Sequence, residues 1–168
     1  AGANRTSWDL RYDAPPALKH TFEINANPER TPPSPEGPLA PPGVYTLRLT
    51  VDGQRVTRTV TVRPDPASPA TPAGLGAQHA LQMRLVEGLR ASWEGYQQAA
   101  ALRAALRGTG TLPAAASAFL ARVDTVAGTL DAERARGGAA RAPTFVALNA
   151  AFAAQLNAQD LGDAAPTP

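Results

Sequence analysis

Val44-Tyr45-Thr46-Leu47-Arg48-Leu49-Thr50-Val51-Asp52-Gly53-Gln54-Arg55-Val56-Thr57-Arg58-Thr59-Val60-Thr61-Val62 carries the strongest structural signal in the first half of the chain. Tyr45, Leu47, Leu49 and Val51 alternate with polar residues, and Val56, Val60 and Val62 form a second stripe that Arg58 interrupts. A period of two marks an extended strand with one apolar face. Between the runs, Asp52-Gly53 supplies the positive φ angles of a two-residue primed turn, so residues 44–51 and 55–62 are predicted to pair as an antiparallel hairpin. Pro41-Pro42-Gly43 pins the start of the first strand.

Toward the N-terminus two more alternations appear. In residues 5–12, Trp8, Leu10 and Tyr12 alternate with Ser7, Asp9 and Arg11, and in 20–24, His20, Phe22 and Ile24 alternate with Thr21 and Glu23. Both read as strands, making four in all. The proline-rich loop 26–42 between them and the hairpin can be neither helix nor inner strand. Its Pro32-Pro33-Ser34-Pro35 and Pro38-Leu39-Ala40-Pro41 runs have the spacing of a polyproline II ligand, with Pro32, Pro35 and Pro38 as contact residues. The competing reading is a solvated loop that packs back on its own sheet.

Toward the C-terminus proline thins out: 13 of the 17 lie at or before Pro72, and helical periodicity takes over. Thr71-Pro72 reads as an N-cap with proline in the first turn. Leu81, Leu85, Leu89, Trp93, Tyr96, Leu102 and Leu106 follow at mostly helical spacing, with Trp93 expected in the core, and Gly108-Thr109-Gly110 ends the run. Gly88 and Gly95 each cost this helix about 1 kcal/mol relative to alanine. Their presence predicts that another helix approaches closely there. A second helix over 113–136 carries Phe119, Val123, Val126 and Leu130 and stops at Gly137-Gly138; a third over 143–159 carries Phe145, Leu148, Phe152 and Leu156. The fold class is therefore α+β with separate all-β and all-α parts: a β module over 1–66, a linker over 67–74, and an antiparallel three-helix unit with one long helix and a short tail over 75–168.

Composition narrows the chemistry. The 168 residues are 43% hydrophobic, but 36 are alanine, so the core rests on few large side chains. There is no cysteine, which removes disulfides, thiolate nucleophiles and cysteine-ligated metals. Only His20 and His79 could serve a histidine-dependent site, on opposite sides of the proline-rich boundary. His79 has no carboxylate three or four residues away to orient it, and Glu87 lies eight residues on, so it reads as structural. A small hydrolase using His79 with Glu87 or Glu94 would need them to meet across helices. The 15 arginines and one lysine are scattered among 14 carboxylates, net charge +2, with no basic run of the kind that holds nucleic acid. The uncharged stretch 142–159 is long enough to suggest a membrane span, yet it carries Asn149, Gln155, Asn157 and Gln159 and reads as a soluble helix. The expectation is no catalytic residue, no metal, no cofactor, no nucleic acid and no membrane. Starting at Ala1 without an apolar leader, the chain reads as a processed protein or a fragment.

Residues 1–12, Ala-Gly-Ala-Asn-Arg-Thr-Ser-Trp-Asp-Leu-Arg-Tyr, and 37–53, Gly-Pro-Leu-Ala-Pro-Pro-Gly-Val-Tyr-Thr-Leu-Arg-Leu-Thr-Val-Asp-Gly, resemble the C-terminal region of bacterial sialidase-like and sortilin-like propeller proteins, a group labelled glycosyl hydrolases with neuraminidase repeats. The ending over 158–167 is similar to the way that region finishes. The resemblance implies an immunoglobulin-like β-sandwich module, like that of flagellar hook-capping proteins, followed by helices. An immunoglobulin-like sandwich needs about seven strands, so four imply a partial module that lacks its first strands. None of the group's Ser-x-Asp-x-Gly-x-Thr-Trp propeller boxes occurs here, so no catalytic or ligand residue carries over. What it implies is a non-catalytic accessory region of a secreted or periplasmic parent, supporting or docking the propeller or a partner. The strand over 5–12 would then offer an open edge to the parent's missing strands, to a second polypeptide, or to a second copy in a homodimer. The alternative is a glycan- or peptide-binding module that uses the sheet face and the proline-rich loop. Trp8, Tyr12 and Tyr45 are its candidate stacking residues.

Overall fold

The computed structural model of the chain describes residues 5–20, 34–108, 110–129, 143–160, 162–163 and 165–166. They contain two strands, β1 (Gly43–Val51) and β2 (Gln54–Val62), and three helices, α1 (Pro72–Arg107), α2 (Ala114–Ala127) and α3 (Phe145–Gln159), a mixed α+β arrangement. The strands form one two-stranded antiparallel sheet. Val51 pairs with Gln54, and Asp52 and Gly53 between them adopt φ of 48° and 78°. Two successive left-handed residues give the primed turn whose twist matches that of the strands, and glycine takes the second position without steric cost. The turn fixes the register: Tyr45 faces Val60, Leu47 faces Arg58 and Leu49 faces Val56. Both predicted stripes therefore share one side of the sheet. The other side pairs Thr46 with Thr59, Arg48 with Thr57 and Thr50 with Arg55.

α1 has 36 residues, about 54 Å at ~1.5 Å per residue. The Gly74 N–H donates to Thr71 Oγ1 at 3.1 Å and Pro72 opens the first turn, as the sequence predicts. α3 starts the same way, the Ala147 N–H donating to Thr144 Oγ1 at 3.1 Å. Gly88 lies under the ring of Phe152 and Gly95 under that of Phe145; a Cβ at either glycine would come within 2.7 Å of the ring. The two pairs step in opposite directions along the helices, so α1 and α3 are antiparallel, and the predicted close approach is found at both glycines. Leu85, Val86, Leu89, Ala153 and Leu156 form the core, with Ala17, Leu81 and Phe152 packed on it. Asn149 is 1% exposed and fully bonded: its Nδ2 donates to Leu89 O and Ser92 Oγ, both at 3.1 Å, and its Oδ1 accepts from the Leu18 N–H at 2.8 Å. α2 is tied to α1 by Arg103, whose Nε donates to Asp124 and whose Nη2 donates to Gly128 O at 3.2 Å.

Several expectations are corrected. Residues 5–12 form no strand. Asp9 Oδ1 accepts from the Arg11 N–H at 2.9 Å and Leu10 takes a φ of 64°, so the chain turns where alternation suggested extension. A single antiparallel bridge, Arg11 to Leu39, is what remains of it. Of the strand predicted over 20–24, residues 21–24 lie outside the described residues. α2 ends at Ala127 rather than 136, because Gly128 leaves the helix at φ 75°, where a Cβ would stand 2.6 Å from Thr144 Oγ1; Leu130 lies outside the described residues. Trp93 is half-buried, not a core residue. Side chains four apart rotate by about 40° around the axis at each step, and the buried line runs through Leu85, Leu89, Ser92 and Ala99 instead.

Candidate functional site

The base of the hairpin is held against the helices by Arg11. Its Nη1 and Nη2 donate to the two carboxylate oxygens of Asp160 at 3.0 and 2.8 Å, its Nε pairs with Glu36 at 3.0 Å, and Nη1 also donates to Gly37 O at 2.9 Å. One planar guanidinium thus joins three segments, a role that a lysine's point charge could not fill. The hydrogen bond to Asp160 is the largest cause holding its pKa above the ordinary guanidinium value, against the opposing effect of burial. Beside it the Tyr12 N–H donates to Pro38 O at 2.9 Å and the Ala40 N–H to Leu10 O at 2.7 Å. This short crossing leads directly into β1.

The crossing gathers the predicted aromatic residues. The Trp8 ring meets the Tyr45 ring edge-on at 5.4 Å, and Trp8 Nε1 donates to Arg11 O at 3.0 Å. Tyr12 lies over His79 at 5.5 Å. The Tyr45 hydroxyl donates to Pro41 O at 2.5 Å, and its pKa is raised, first by desolvation and second by the nearby Tyr12. Trp8 and Tyr12 keep 38% and 43% of their surface exposed, while Tyr45 is half-buried. The prolines differ. Pro35 and Pro38 are buried, so neither can be offered to an aromatic groove, and Pro32 lies outside the described residues. They are buried because the segment packs inward between the Tyr12 backbone and the helices instead of standing in solvent.

A cavity of about 170 Å³ opens behind the hairpin base, lined among others by Val62, Arg63, His79, Gln82, Asp160 and Asp163. His79 Nδ1 is buried without a hydrogen-bond partner among the described residues. Glu87 and Glu94 are exposed and line no part of this cavity, so the structure does not bring His79 together with either. Gln78 and Gln82, which no sequence pattern singles out, donate to Gln159 O at 2.7 and 3.4 Å and close the end of α3. Among the described residues no group of three His, Cys, Asp or Glu side chains could hold a metal ion. No helix among them is long and apolar enough to cross a membrane.

Above the aromatic base the sheet is open. Leu47, Leu49, Val51, Val56 and Val60 share one face and all are exposed, Leu49 by 60%. Their alternation in the sequence marks strands and not a binding surface. The readable sign that this face is not packed away is an arginine set within the Val56–Val60 stripe, with three more close by. No family model, no curated protein and no solved structure matches this chain.

Proposed function

We propose that this chain is a non-catalytic docking region in which α1 and α3 form the pedestal and the hairpin presents its apolar face to another protein surface. The observation that carries this reading is the exposure of Leu47, Leu49, Val51 and Val56 on one side of the sheet. Burying an aliphatic side chain of this kind is worth about 1.5–3 kcal/mol, and a lone two-stranded hairpin is marginal in water. A surface that covers the face therefore stabilises the hairpin and the complex together. The sequence resemblance supplies the setting: the hairpin belongs to a partial immunoglobulin-like module, and the covering surface is the propeller or further strands of a secreted or periplasmic parent. The test is the Leu49→Ser, Val56→Ser double variant, with association to a separately produced propeller followed by sedimentation. We expect association to fall by about tenfold or more with the helical core folded as before. Unchanged association contradicts the reading.

A second reading, a glycan- or peptide-binding platform, is favoured by the exposure of Trp8 and Tyr12 beside Tyr45. Saturable quenching of Trp8 fluorescence by an oligosaccharide, lost in Tyr12→Ala, would support it. A hydrolase built on His79 would require turnover that His79→Ala abolishes.

A further inference from the structure

Two features of the hairpin specify the chemistry of a strand that would pair with its edge. The first is its edges. Among the described residues neither β1 nor β2 has a neighbour on its outer side. Alternate backbone N–H and C=O groups there point away from the sheet, the arrangement that an added strand completes.

The second is charge. Residues 43–63 carry Arg48, Arg55, Arg58 and Arg63 against Asp52 alone. None of the four arginines forms an ion pair with another described residue. Arg48 and Arg55 lie diagonally across the threonine face, and Arg58 stands in the apolar stripe opposite Leu47, its Nη1 donating to the neighbouring Thr57 O. Like charges at such spacing repel, and a carboxylate on an adjacent strand relieves that repulsion.

Resting on the docking reading, we infer that the segment added to the hairpin edge is an extended acidic strand in which apolar residues alternate with Asp or Glu. Its apolar side chains extend the Leu47, Leu49 and Val56 face, and its carboxylates fall on the threonine face beside Arg48 and Arg55. A second copy of this chain fits less well. Arg58 is the middle residue of β2, so antiparallel pairing of two β2 edges would set Arg58 against its own symmetry mate, and pairing of two β1 edges would bring Arg48 near Arg48.

The test uses the whole chain and a terminally capped nine-residue peptide of alternating Val and Glu, with a Val and Lys peptide of the same pattern as control. Amide exchange across β1 and β2 is read by NMR. The expected result is slowed exchange along one edge strand with the acidic peptide, binding at least about tenfold tighter than the Lys peptide, and a preference that reverses in the Arg48→Glu, Arg55→Glu variant. Equal binding of both peptides overturns the charge assignment and leaves the docking reading standing. Binding of neither overturns the strand assignment, while the serine variant and propeller experiment tests docking independently. Slowed exchange on adding a short DNA duplex or phosphatidylglycerol vesicles, without response to the acidic peptide, overturns the proposal in favour of a polyanion surface. Self-association that slows exchange without any peptide overturns it in favour of a second copy.

Discussion

Gly37 lies where the chain returns past Tyr12, and a Cβ built there would stand 1.8 Å from the Tyr12 carbonyl oxygen. The obstruction is backbone held by Arg11 on one side and by the bridge to Leu39 on the other, so no rotamer change relieves it. Gly37→Ala should cost on the order of 3 kcal/mol or more, read by urea denaturation; a loss below about 1 kcal/mol would show that the crossing is loose. Tyr45 gives a pH prediction. Its folded pKa is raised above the ordinary value of 10.0, so the folded state holds the phenolic proton more tightly. The associated stability is fully present below pH 10 and is lost as pH rises through the folded pKa. Tyr45→Phe should flatten that alkaline fall, and an unchanged profile between the two proteins would exclude this origin. Neither residue's role is readable from sequence, because each depends on segments far away in the chain. Trp8 and Tyr12 are readable as candidates from their alternation. That alternation accompanies a turn at Leu10, whose left-handed backbone no local apolar pattern announces.

At the scale of elements, the hairpin and the start of α1 are legible because their signals are local: a two-residue Asp52-Gly53 turn, and a threonine cap followed by proline. The α1–α3 contact is legible for a different reason, since two glycines inside a long helix need compensation from outside it. Gly88 and Gly95 yield unequal predictions. Alanine gains about 1 kcal/mol of helix propensity at either position but must displace a phenylalanine ring. Phe152 packs on the core, so Gly88→Ala should destabilise by roughly 1–3 kcal/mol net. Phe145 borders an open groove between α1 and α2 into which its ring can turn, so Gly95→Ala should cost less than Gly88→Ala. Thermal denaturation of both variants decides it, and the reverse order would contradict the packing described. The end of α2 is not legible: Gly128 and Gly137 both offer stops, and contact with Thr144 selects the first. The inward packing of the proline-rich loop is hidden for the same reason, because burial of Pro35 and Pro38 depends on helices that follow it in sequence.

Across the whole molecule, α1 and α3 enclose a shared apolar core, whereas Phe119 and Val126 of α2 and the apolar face of the sheet stay exposed. Leu89 has no exposed surface, whereas Leu49 keeps more than half of its own. Regions with few buried apolar contacts open with lower free energy than the core they are attached to. A hairpin that docks elsewhere, carried on a helical pedestal that folds without it, implies uneven stability along one chain. Native-state amide hydrogen exchange on the isolated chain at low concentration tests it most directly. The amides of Leu89 and Asn149 should exchange only through global unfolding, and those of Leu47, Leu49, Val56 and Val60, which face the partner strand in the hydrogen-bonded pairs of the hairpin, should exchange faster by at least about a hundredfold, close to 3 kcal/mol of local opening free energy. Strand amides protected as strongly as Leu89, independently of concentration, would show that the hairpin is stable without any covering partner.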